Sequence, residues 1–326
     1  MDPRLVILSR GPGLYSTMRL MEESHRYGFS ARIIDPMSVT TAVDDDGGKI
    51  YYRGWPIHAD AVIPRIGYSI TRPGSSIVRQ FEKMGAIVQN NAASIILSRD
   101  KIAATQVMAE SGLPVPKSIK VASMEDSVHA LRAIGDYPLV IKASEGTQGS
   151  SVFLLDDEPR AISLLSQMFE RGMRPLVQEY IRESHGKDIR VIVVRGRVVA
   201  SMLRRARGTE FRSNFHLGGS VEAIDLSTTQ ANVAIKAAAQ LGLDVAGVDM
   251  LVSASGPLVL EANSSPGLEG IERATGVNVA GRIVSTLRAR VREAWEESNN
   301  VRSDENMIEG SGEVISNGKE GSAESS

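Results

Sequence analysis

The feature that most constrains the fold is a repeated order of short apolar runs and helical stretches near the N-terminus. Residues 5–8 form an uninterrupted apolar run, which is typical of a strand buried on both faces of a parallel sheet. A stretch with helical spacing follows and ends at Gly28. Further apolar runs lie at residues 31–34, 61–63 and 86–88. This order predicts a doubly wound α/β domain over residues 1–100.

Beyond residue 100 the pattern mixes strands and helices. A helix is predicted over residues 99–110, because Gly112 and Pro114 prevent its continuation. Strands are predicted at residues 138–142, 152–155, 189–194, 197–202, 247–252 and 257–262. The order predicts an α+β region of two lobes, residues 101–182 and 183–296. The last helix is predicted to end near Trp295, and the polar composition of residues 297–326 predicts a disordered tail.

Composition excludes several classes of protein. The chain has 326 residues and a formal net charge of −2, so no overall field attracts it to nucleic acid or to an anionic membrane. It has no cysteine, which excludes disulfides and thiolate chemistry. No apolar run approaches the ~20 residues that cross a bilayer, and no basic and apolar leader opens the chain. We therefore expect a cytoplasmic protein that contacts neither a membrane nor, directly, nucleic acid.

Three oxygen-bearing side chains lie in two neighbouring predicted strands. Glu261 and Asn263 are two residues apart, so they share one face of their strand, and Asp249 lies in the strand before it. Carboxylate and amide oxygens are ligands that suit Mg²⁺. The pattern favours a metal site, although surface residues at strand ends would give the same pattern.

A glycine-bearing loop, residues 145–151, follows Lys142 at the end of a predicted buried strand. Small residues let backbone N–H groups close over an anion, and a buried ammonium group requires an anionic partner. The segment therefore indicates a phosphate site. A flexible β-hairpin turn would give the same loop sequence.

Other polar segments suit a nucleotide or an acidic substrate. Residues 178–181 end a strand and present backbone edges and Ile181 for an adenine ring, and Asp188 is a candidate partner for a ribose or a lysine. Four arginines within nine residues indicate a local anion site: Arg204, Arg205, Arg207 and Arg212. Arg212 suits charge on a transferring phosphoryl group, and the others suit an acidic substrate. The alternatives are a surface position for Asp188 and a solvated hairpin end for the arginines.

In their order along the chain, these segments resemble the ATP-grasp superfamily and, within it, the RimK branch. The resemblance extends to about residue 290. It is carried by residues 8–10, 62–67, 99–101, 145–149, 178–181, 188–190, 211–214, 244–249 and 261–270. It implies a Rossmann-like preATP-grasp domain followed by a two-lobed ATP-grasp domain.

The resemblance also implies roles for individual residues. The implied nucleotide contacts are Lys101, Lys142, Glu179, Tyr180, Ile181, Asp188, Arg212, Ser213 and Asn214. Among these, Lys101 and Lys142 would contact phosphates and residues 179–181 would line the adenine pocket. The implied catalytic residues are Arg212, Lys142 and Arg190, of which Arg190 would hold the acyl phosphate or the substrate. Asp249, Glu261 and Asn263 would bind two Mg²⁺ or Mn²⁺ ions.

The activity implied by the resemblance is ATP-dependent ligation of a carboxylate to an amine through an acyl phosphate. The implied substrates are free L-glutamate and an acidic protein C-terminus, with ribosomal protein S-six of the small subunit as the acceptor. A homo-oligomer, specifically a tetramer, is also implied. A ligase that acts on a carrier protein or on a small metabolite is the alternative within the superfamily.

Two other classes of function are weaker interpretations. Gly11 and Gly13 follow a strand and Asp35 ends the next one, as in a dinucleotide-binding redox enzyme, but Ser16 occupies the position of the third glycine. A non-catalytic ATP-binding regulator has no need of the full set of Asp249, Glu261, Asn263 and Arg212.

Overall fold

The computed structural model describes residues 2–45, 47–143, 152–208, 210–211 and 219–312, and gives only the backbone for residues 300–312. Its first part runs β1 (Arg4–Leu8), α1 (Tyr15–Arg26), β2 (Ser30–Ile34), β3 (Val39–Asp44), β4 (Gly47–Tyr52), β5 (Trp55–Pro56), β6 (Ala61–Pro64), α2 (Thr71–Lys83), β7 (Ile87–Val88) and α3 (Ala92–Arg99). Four of these strands form a parallel sheet in the order β2-β1-β6-β7. The predicted α/β domain is therefore confirmed.

Side-chain alternation along β1 explains why helices cover both faces of this sheet. Leu5 and Ile7 lie in a core with residues of α1 and of the C-terminal helix, whereas Val6 and Leu8 lie in a second core with residues of α2 and α3. All four side chains are buried, as the uninterrupted apolar run predicts. Both faces of the strand are thus needed to hold the domain together.

An antiparallel sheet formed by β3, β4 and β5 is inserted between β2 and β6. The sequence analysis did not predict it. The reason is that its residues are mostly half-buried or exposed, so the segment lacks the apolar run of a core strand: Ile50 is buried, whereas Val43 and Trp55 are largely exposed. The insertion leaves the strand order of the parallel sheet unchanged.

The second part of the chain begins with the helix that was predicted over about residues 99–110. It is α4 (Lys101–Glu110), which begins two residues later than predicted because α3 ends at Arg99 and Asp100 separates the two helices. The Asp100 carboxylate accepts hydrogen bonds from the backbone N–H groups of Ile102 and Ala103, at 3.0 and 3.1 Å. Asp100 therefore acts as an N-cap that starts a new helix.

One lobe follows α4. It contains β8 (Ser118–Lys120), α5 (Ser127–Ile134), β9 (Leu139–Ala143), β10 (Val152–Leu155), α6 (Glu158–Glu170) and β11 (Pro175–Glu179). Its four strands form an antiparallel sheet in the order β10-β9-β11-β8. Residues of α5 and α6 pack on this sheet in a core of their own, so the lobe has an independent hydrophobic centre.

The other lobe is built on a longer sheet. It contains β12 (Lys187–Val194), β13 (Arg197–Arg205), β14 (Ser220–Ala223), α7 (Thr228–Gln240), β15 (Val245–Ser253), β16 (Gly256–Asn263), α8 (Glu269–Thr275) and α9 (Val279–Gly312). The five strands are antiparallel neighbours in the order β14-β13-β12-β15-β16. One face packs on α7 and α4, and the other packs on α8 and α9. This sheet supplies most of the polar residues considered below.

The last helix differs from the sequence prediction. Backbone helix continues to Gly312, whereas the sequence predicted its end near Trp295 and a disordered tail from residue 297. The few apolar residues after Glu297 gave no signal of helical periodicity, although Ser, Asn and Glu are all tolerated in a helix. Residues 313–326 lie outside the described part of the chain. In the described residues, no helix has the length and apolar character needed to cross a membrane.

Candidate active site

The candidate site lies where the sheets of the two lobes approach each other. Residues 180–186, which include a 3-10 helix at Arg182–Ser184, connect β11 of one sheet to β12 of the other. Lys142 of β9 and Glu261 of β16 interact electrostatically across this boundary. Segments that are distant in sequence therefore contribute to one polar site.

Asp249 occupies the centre of a buried ion-pair network on the longer sheet. The Arg190 guanidinium donates two hydrogen bonds to its carboxylate, at 2.7 and 2.6 Å, and Arg204 lies 2.9 Å from Asp249 Oδ2. Burial acts to raise the pKa of Asp249, but Arg190 and Arg204 outweigh it and hold that pKa below its ordinary value. Asp249 is therefore an ionised carboxylate with two cationic partners.

This pairing was not predicted from the sequence. Arg190 was predicted to hold the acyl phosphate or the substrate and Asp249 to bind metal; these roles stay predictions, and the structure shows in addition that the two side chains form a bidentate pair. Their contact follows from strand register, since Arg190 and Asp249 lie directly opposite each other on β12 and β15. A signal existed in the sequence, because an acidic and a basic residue on adjacent strands of one sheet are candidates for a cross-strand pair.

Asp188 and Arg204 extend the network along the sheet. Arg204 donates from Nε and Nη2 to both oxygens of the Asp188 carboxylate, with 2.6 Å from Nε to Oδ1. Each side chain is about 5% exposed. The partner of Asp188 is thus an arginine where the sequence predicted a ribose or a lysine. Arg204 belongs to this network and not to a solvated hairpin end, while its neighbour Arg205 is exposed and pairs with Glu222 at 2.9 Å.

Glu261 and Asn263 lie beside this network but are less engaged. Asn263 Nδ2 donates to Glu261 Oε1 at 3.0 Å, and Glu261 is the register partner of Asp249 on the adjacent strand. The three oxygen-bearing residues are therefore neighbours, as the sequence predicted. Among the residues that the structure describes, no group of three or more Asp, Glu, His or Cys side chains is placed to hold a metal ion.

These three residues nevertheless fit Mg²⁺ by the chemistry of their donor atoms. Donation from Asn263 Nδ2 leaves its Oδ1 atom available as an acceptor, and Glu261 Oε2 accepts no hydrogen bond from a described residue. A carboxylate has about four acceptor sites, and the three arginine contacts leave Asp249 with one. Two carboxylates and an amide oxygen form a donor set that Mg²⁺ accepts when phosphate and water complete its shell.

The turn after Asn263 is fixed against both domains. The buried Asn90 side chain donates from Nδ2 to the carbonyl oxygens of Val245 and Ser264, both at 2.7 Å, and accepts from Val245 N. At Gly247 an added Cβ would lie 2.7 Å from Pro266, so only glycine permits this approach. Asn90 is a positioning residue that sequence reasoning missed, because nothing in its local pattern indicates a partner about 155 residues away.

Lys142 is a buried cation with little neutralising charge. It is 6% exposed and donates to Gln178 Oε1 at 3.0 Å, while Gln178 Nε2 donates to Ser118 Oγ at 2.7 Å. The pKa of Lys142 is lowered to about 8, chiefly by burial; the charge of Glu261 opposes this shift and the charge of Lys101 adds to it. The interactions with Lys101 and Glu261 show that both predicted phosphate lysines lie near a predicted metal ligand.

The predicted adenine residues lie at the end of β11 and in the connection that follows it. Glu179 Oε1 accepts from the backbone N–H of Lys117 at 2.7 Å, and Tyr180 forms a short hydrogen bond with His185. Tyr180 and Ile181 are half-buried. They are thus positioned between the sheets, although the adenine contact stays a prediction.

The described side chains form two electrostatic groups on this boundary, and together they have an excess of positive charge. One group contains the Glu261 carboxylate and four cations, which are Arg65, Arg99, Lys101 and Lys142. In the other group Asp188 and Asp249 pair with Arg190 and Arg204. Glu261 and Asp249 are register partners on adjacent strands, so the two groups are neighbours. Such an excess in a chain of net charge −2 suits a polyanionic ligand.

Several predicted residues lie outside the described part of the chain. They are Arg212, Ser213 and Asn214, predicted at the γ-phosphate, and the whole of the predicted phosphate loop, residues 145–151. Their roles stay predictions.

The chain matches two families of protein domains over most of its length. Residues 4–95 match the RimK PreATP-grasp domain, and residues 98–287 match the RimK-like ATP-grasp domain.

Similar proteins of known name agree with these matches. A protein of Aeromonas salmonicida named "Probable alpha-L-glutamate ligase" is 44% identical over 288 residues, which cover 88% of this chain and 97% of that protein. A protein of the same name from Legionella pneumophila is 43% identical over 291 residues, covering 89% and 96%. The solved structure of the ATP-grasp ligase PsnB with a minimal precursor superposes with a TM-score of 0.69 at 21% identity, covering 88% of this chain and 99% of that one. At this identity the likeness shows the fold alone.

Proposed function

This chain belongs to the RimK family of ATP-grasp ligases, and on that premise we propose that it adds glutamate to the C-terminal carboxylate of a protein or peptide. The observation that carries the proposal is the cationic cluster around Lys142 and Glu261 at the boundary between the two lobes. ATP provides the polyanion that this cluster lacks, and both amino-acid substrates bring further carboxylates. The relatives named as alpha-L-glutamate ligases support glutamate as the amino substrate.

The reaction requires a phosphoryl transfer followed by an acyl transfer. A carboxylate oxygen of the acceptor attacks the γ-phosphorus of ATP, the bond to the bridging oxygen breaks, and ADP leaves with that electron pair. The amino nitrogen of glutamate then attacks the acyl carbon, phosphate leaves, and the nitrogen loses a proton to give the peptide bond. Positioning and charge stabilisation supply most of the catalysis in such transfers.

Residues of this chain have separate tasks in that sequence. Lys142, held by Gln178, would place positive charge beside the phosphates, where charge is transferred to the leaving ADP. Lys101 would act on the same phosphates, since its charge acts on Lys142. Tyr180 and Ile181 would contact the adenine, and Arg212, Ser213 and Asn214 would hold the γ-phosphate, as the family resemblance implies.

Asp249, Glu261 and Asn263 would hold Mg²⁺ or Mn²⁺, with two ions as the proposed number. Bound there, the metal would neutralise phosphate oxygens and so lower the cost of bringing a carboxylate to them. Arg190 and Arg204 keep Asp249 ionised and fixed in position on its sheet, which prepares a ligand whose charge is already developed.

The acceptor and the assembly state are the further parts of the proposal. We propose ribosomal protein S-six of the small subunit as the acceptor, and a homotetramer as the active assembly. An acidic C-terminus is compatible with the excess of positive charge at the site, and each addition regenerates a terminal carboxylate, which permits repeated additions. A carrier protein or a small metabolite is the alternative acceptor.

Intact-mass spectrometry of candidate acceptors tests the proposal. The purified protein is incubated with ATP, Mg²⁺, L-glutamate and ribosomal protein S-six, with reactions lacking ATP or containing Glu261→Gln as controls. We expect mass steps of one glutamyl unit that require ATP and the unaltered Glu261. ADP release that depends on another acceptor, with no mass change of the ribosomal protein, would replace the proposed acceptor by the alternative.

A further inference from the structure

The parallel sheet of the N-terminal domain has a topological switch point at the carboxyl ends of β1 and β6, here called the crevice, that the proposed catalysis does not use. The chain runs from β1 to β2 on one side and then to β6 on the other, so the strand order reverses between β1 and β6. In open α/β sheets, ligands bind outside the carboxyl ends of strands at such a reversal. The residues that follow these ends are Arg10, in the loop after β1, and Arg65, directly after β6.

Backbone contacts hold the two strand ends together. Arg65 N donates to Leu8 O at 2.8 Å, and Arg10 Nη1 donates to Ser69 Oγ at 3.3 Å across the crevice. Arg99, the last residue of α3, donates from Nη2 to Ile66 O at 2.8 Å, which brings a third guanidinium beside Arg65. Three cations from separate segments therefore converge at one end of the sheet.

None of these three guanidinium groups forms an ion pair with a described carboxylate, and Arg99 Nε is buried without a hydrogen-bond partner among the described residues. Arg65 is half-buried, and its pKa is lowered to about 10, mainly by loss of solvent and further by the positive charge of Arg99. A partly desolvated cation beside another cation destabilises the folded state unless an anion binds there.

The crevice is joined to the candidate active site. Ser265 Oγ, in the turn after Asn263, donates to Pro64 O at 3.3 Å, directly before Arg65. Arg99 interacts electrostatically with Glu261. An anion held between Arg65 and Arg99 would thus belong to a molecule that also reaches the proposed ATP and metal site.

We propose that Arg65 and Arg99, with Arg10 at the rim, bind the non-reacting carboxylate of a glutamyl substrate. The proposal rests on the proposed function and names a specificity site for it. Two planar guanidinium groups suit a carboxylate, which each can bind through paired N–H donors. The carboxylate belongs either to free glutamate or to the last glutamyl unit of the acceptor. In both cases the crevice selects an acidic substrate over its neutral amide analogue.

Steady-state kinetics with Arg65→Gln and Arg65→Lys test this site. KM is measured for ATP, for L-glutamate and for acceptor peptides that end in Glu or Gln, and L-glutamine replaces L-glutamate in a parallel series. We expect Arg65→Gln to raise the KM of one acidic substrate by about tenfold or more, to leave the KM of ATP within about twofold, and to reduce discrimination against the matching amide. The substrate whose KM rises identifies the source of the carboxylate. Arg65→Lys keeps the positive charge but lacks the planar guanidinium group, so its KM for that substrate should lie between those of the wild-type protein and Arg65→Gln.

The matched control is Arg32→Gln, which removes an exposed arginine from β2 of the same domain and should change none of these values. Thermal unfolding without ligands separates binding from folding, because loss of a half-buried charge that lies beside another cation should leave the midpoint of Arg65→Gln unchanged or raised. A lowered midpoint, an increase in the KM of ATP alone, or unchanged discrimination against the amide in both series (glutamate against glutamine, and acceptors ending in Glu against Gln) would each overturn the proposal.

Binding of glutarate, a dicarboxylate that cannot be ligated, separates this proposal from the proposed function. We expect glutarate to raise the unfolding midpoint of the wild-type protein and of Arg32→Gln, but not that of Arg65→Gln. Arg65-dependent stabilisation without any ligation of glutamate would refute the proposed function alone. Ligation of glutamate with equal stabilisation of all variants would refute the carboxylate site alone.

Discussion

Two groups of buried charges lie a short distance apart in this molecule and differ in how they are neutralised. On the longer sheet, Asp188, Arg190, Arg204 and Asp249 form a closed network in which each charge has an opposite partner. On β9 of the other lobe, the one hydrogen-bond partner of Lys142 among the described residues is the neutral side chain of Gln178. Arg65 and Arg99 in the neighbouring crevice resemble Lys142 in this respect.

The difference separates a scaffold from a ligand-binding surface. Removing one member of a closed network leaves its partner as an unpaired charge inside the protein, so such residues are required for stability. A cation without a counter-charge already lowers stability, so its replacement should harm binding and spare the fold. The same chemical groups therefore predict opposite effects on the free energy of unfolding, and measurement of both properties distinguishes the two surfaces.

The largest expected effect is that of Asp249→Ala. Its loss leaves Arg190 and Arg204 without their shared partner and removes a proposed metal ligand. We expect the free energy of unfolding to fall by about 3–5 kcal/mol and ligation to fall about a thousandfold. Chemical denaturation and glutamate-dependent ADP release measure the two effects.

Glu261→Gln is the matched variant, because Glu261 is bonded only by the Asn263 amide among the described hydrogen bonds. It should lose ligation to a similar degree, while its free energy of unfolding changes by less than about 1 kcal/mol. Full activity in both variants would refute the metal assignment. Equal destabilisation by both would remove the distinction between scaffold and ligand surface at this sheet.

Replacement of Lys142 tests the other side of the comparison. Lys142→Met removes a buried ammonium that, within the described part of the chain, donates a hydrogen bond to Gln178 and to no carboxylate. We expect the free energy of unfolding to stay the same or to rise, while ligation falls about a hundredfold because phosphate charge is no longer stabilised. Calorimetric titration with ATP should show weaker binding than in Lys142→Arg. A destabilised Lys142→Met protein would place Lys142 with the scaffold.

Patterns in the sequence predicted the ligand-binding surface at Glu261 and Asn263 better than the closed network around Asp249. The apolar run at residues 5–8 predicts a buried strand because each residue reports its own burial, and the alternation at Glu261 and Asn263 predicts a shared face. The cross-strand partners of Asp249 depend on which strands pair and in what register, which local pattern does not fix. The three-stranded insertion at residues 39–56 was not predicted for a related reason, since its mostly exposed residues show no apolar periodicity. The resemblance to the RimK family, by contrast, was confirmed, because it used ordered motifs and not local periodicity.

The pH dependence of stability sharpens the comparison further. The pKa of Lys142 is lowered from 10.5 to about 8 in the folded protein. Between these values the unfolded chain binds a proton at Lys142 that the folded chain has lost, so the free energy of unfolding should rise with pH from about 8 to 10.5. The rise contributed by Lys142 is at most about 3 kcal/mol.

The Lys142→Met protein provides the reference curve, and the difference between the two curves isolates the lysine. Affinity for ATP should change in the opposite direction, weakening above pH about 8 as the ammonium loses its proton. Denaturation and ATP titration at a series of pH values measure both. A difference curve that is flat over this interval would mean that the pKa of Lys142 is not lowered in the folded protein, because a counter-charge offsets the burial of its ammonium group.

The smallest expected effect is that of Asp188→Asn, which tests whether Asp188 belongs to the scaffold or contacts the nucleotide. Arg204 keeps Asp249 as a partner in this variant, so its charge does not become unpaired. We therefore expect a loss of about 2 kcal/mol in the free energy of unfolding, the typical value of hydrogen bonds to a charged group. The KM of ATP should stay within about twofold, because Arg204 occupies both carboxylate oxygens of Asp188. Arg205→Gln is the control, since its pair with Glu222 is exposed and should contribute little. A tenfold rise in the KM of ATP with unchanged stability would return Asp188 to the ribose role that the sequence predicted, and the closed network would then begin at Arg204.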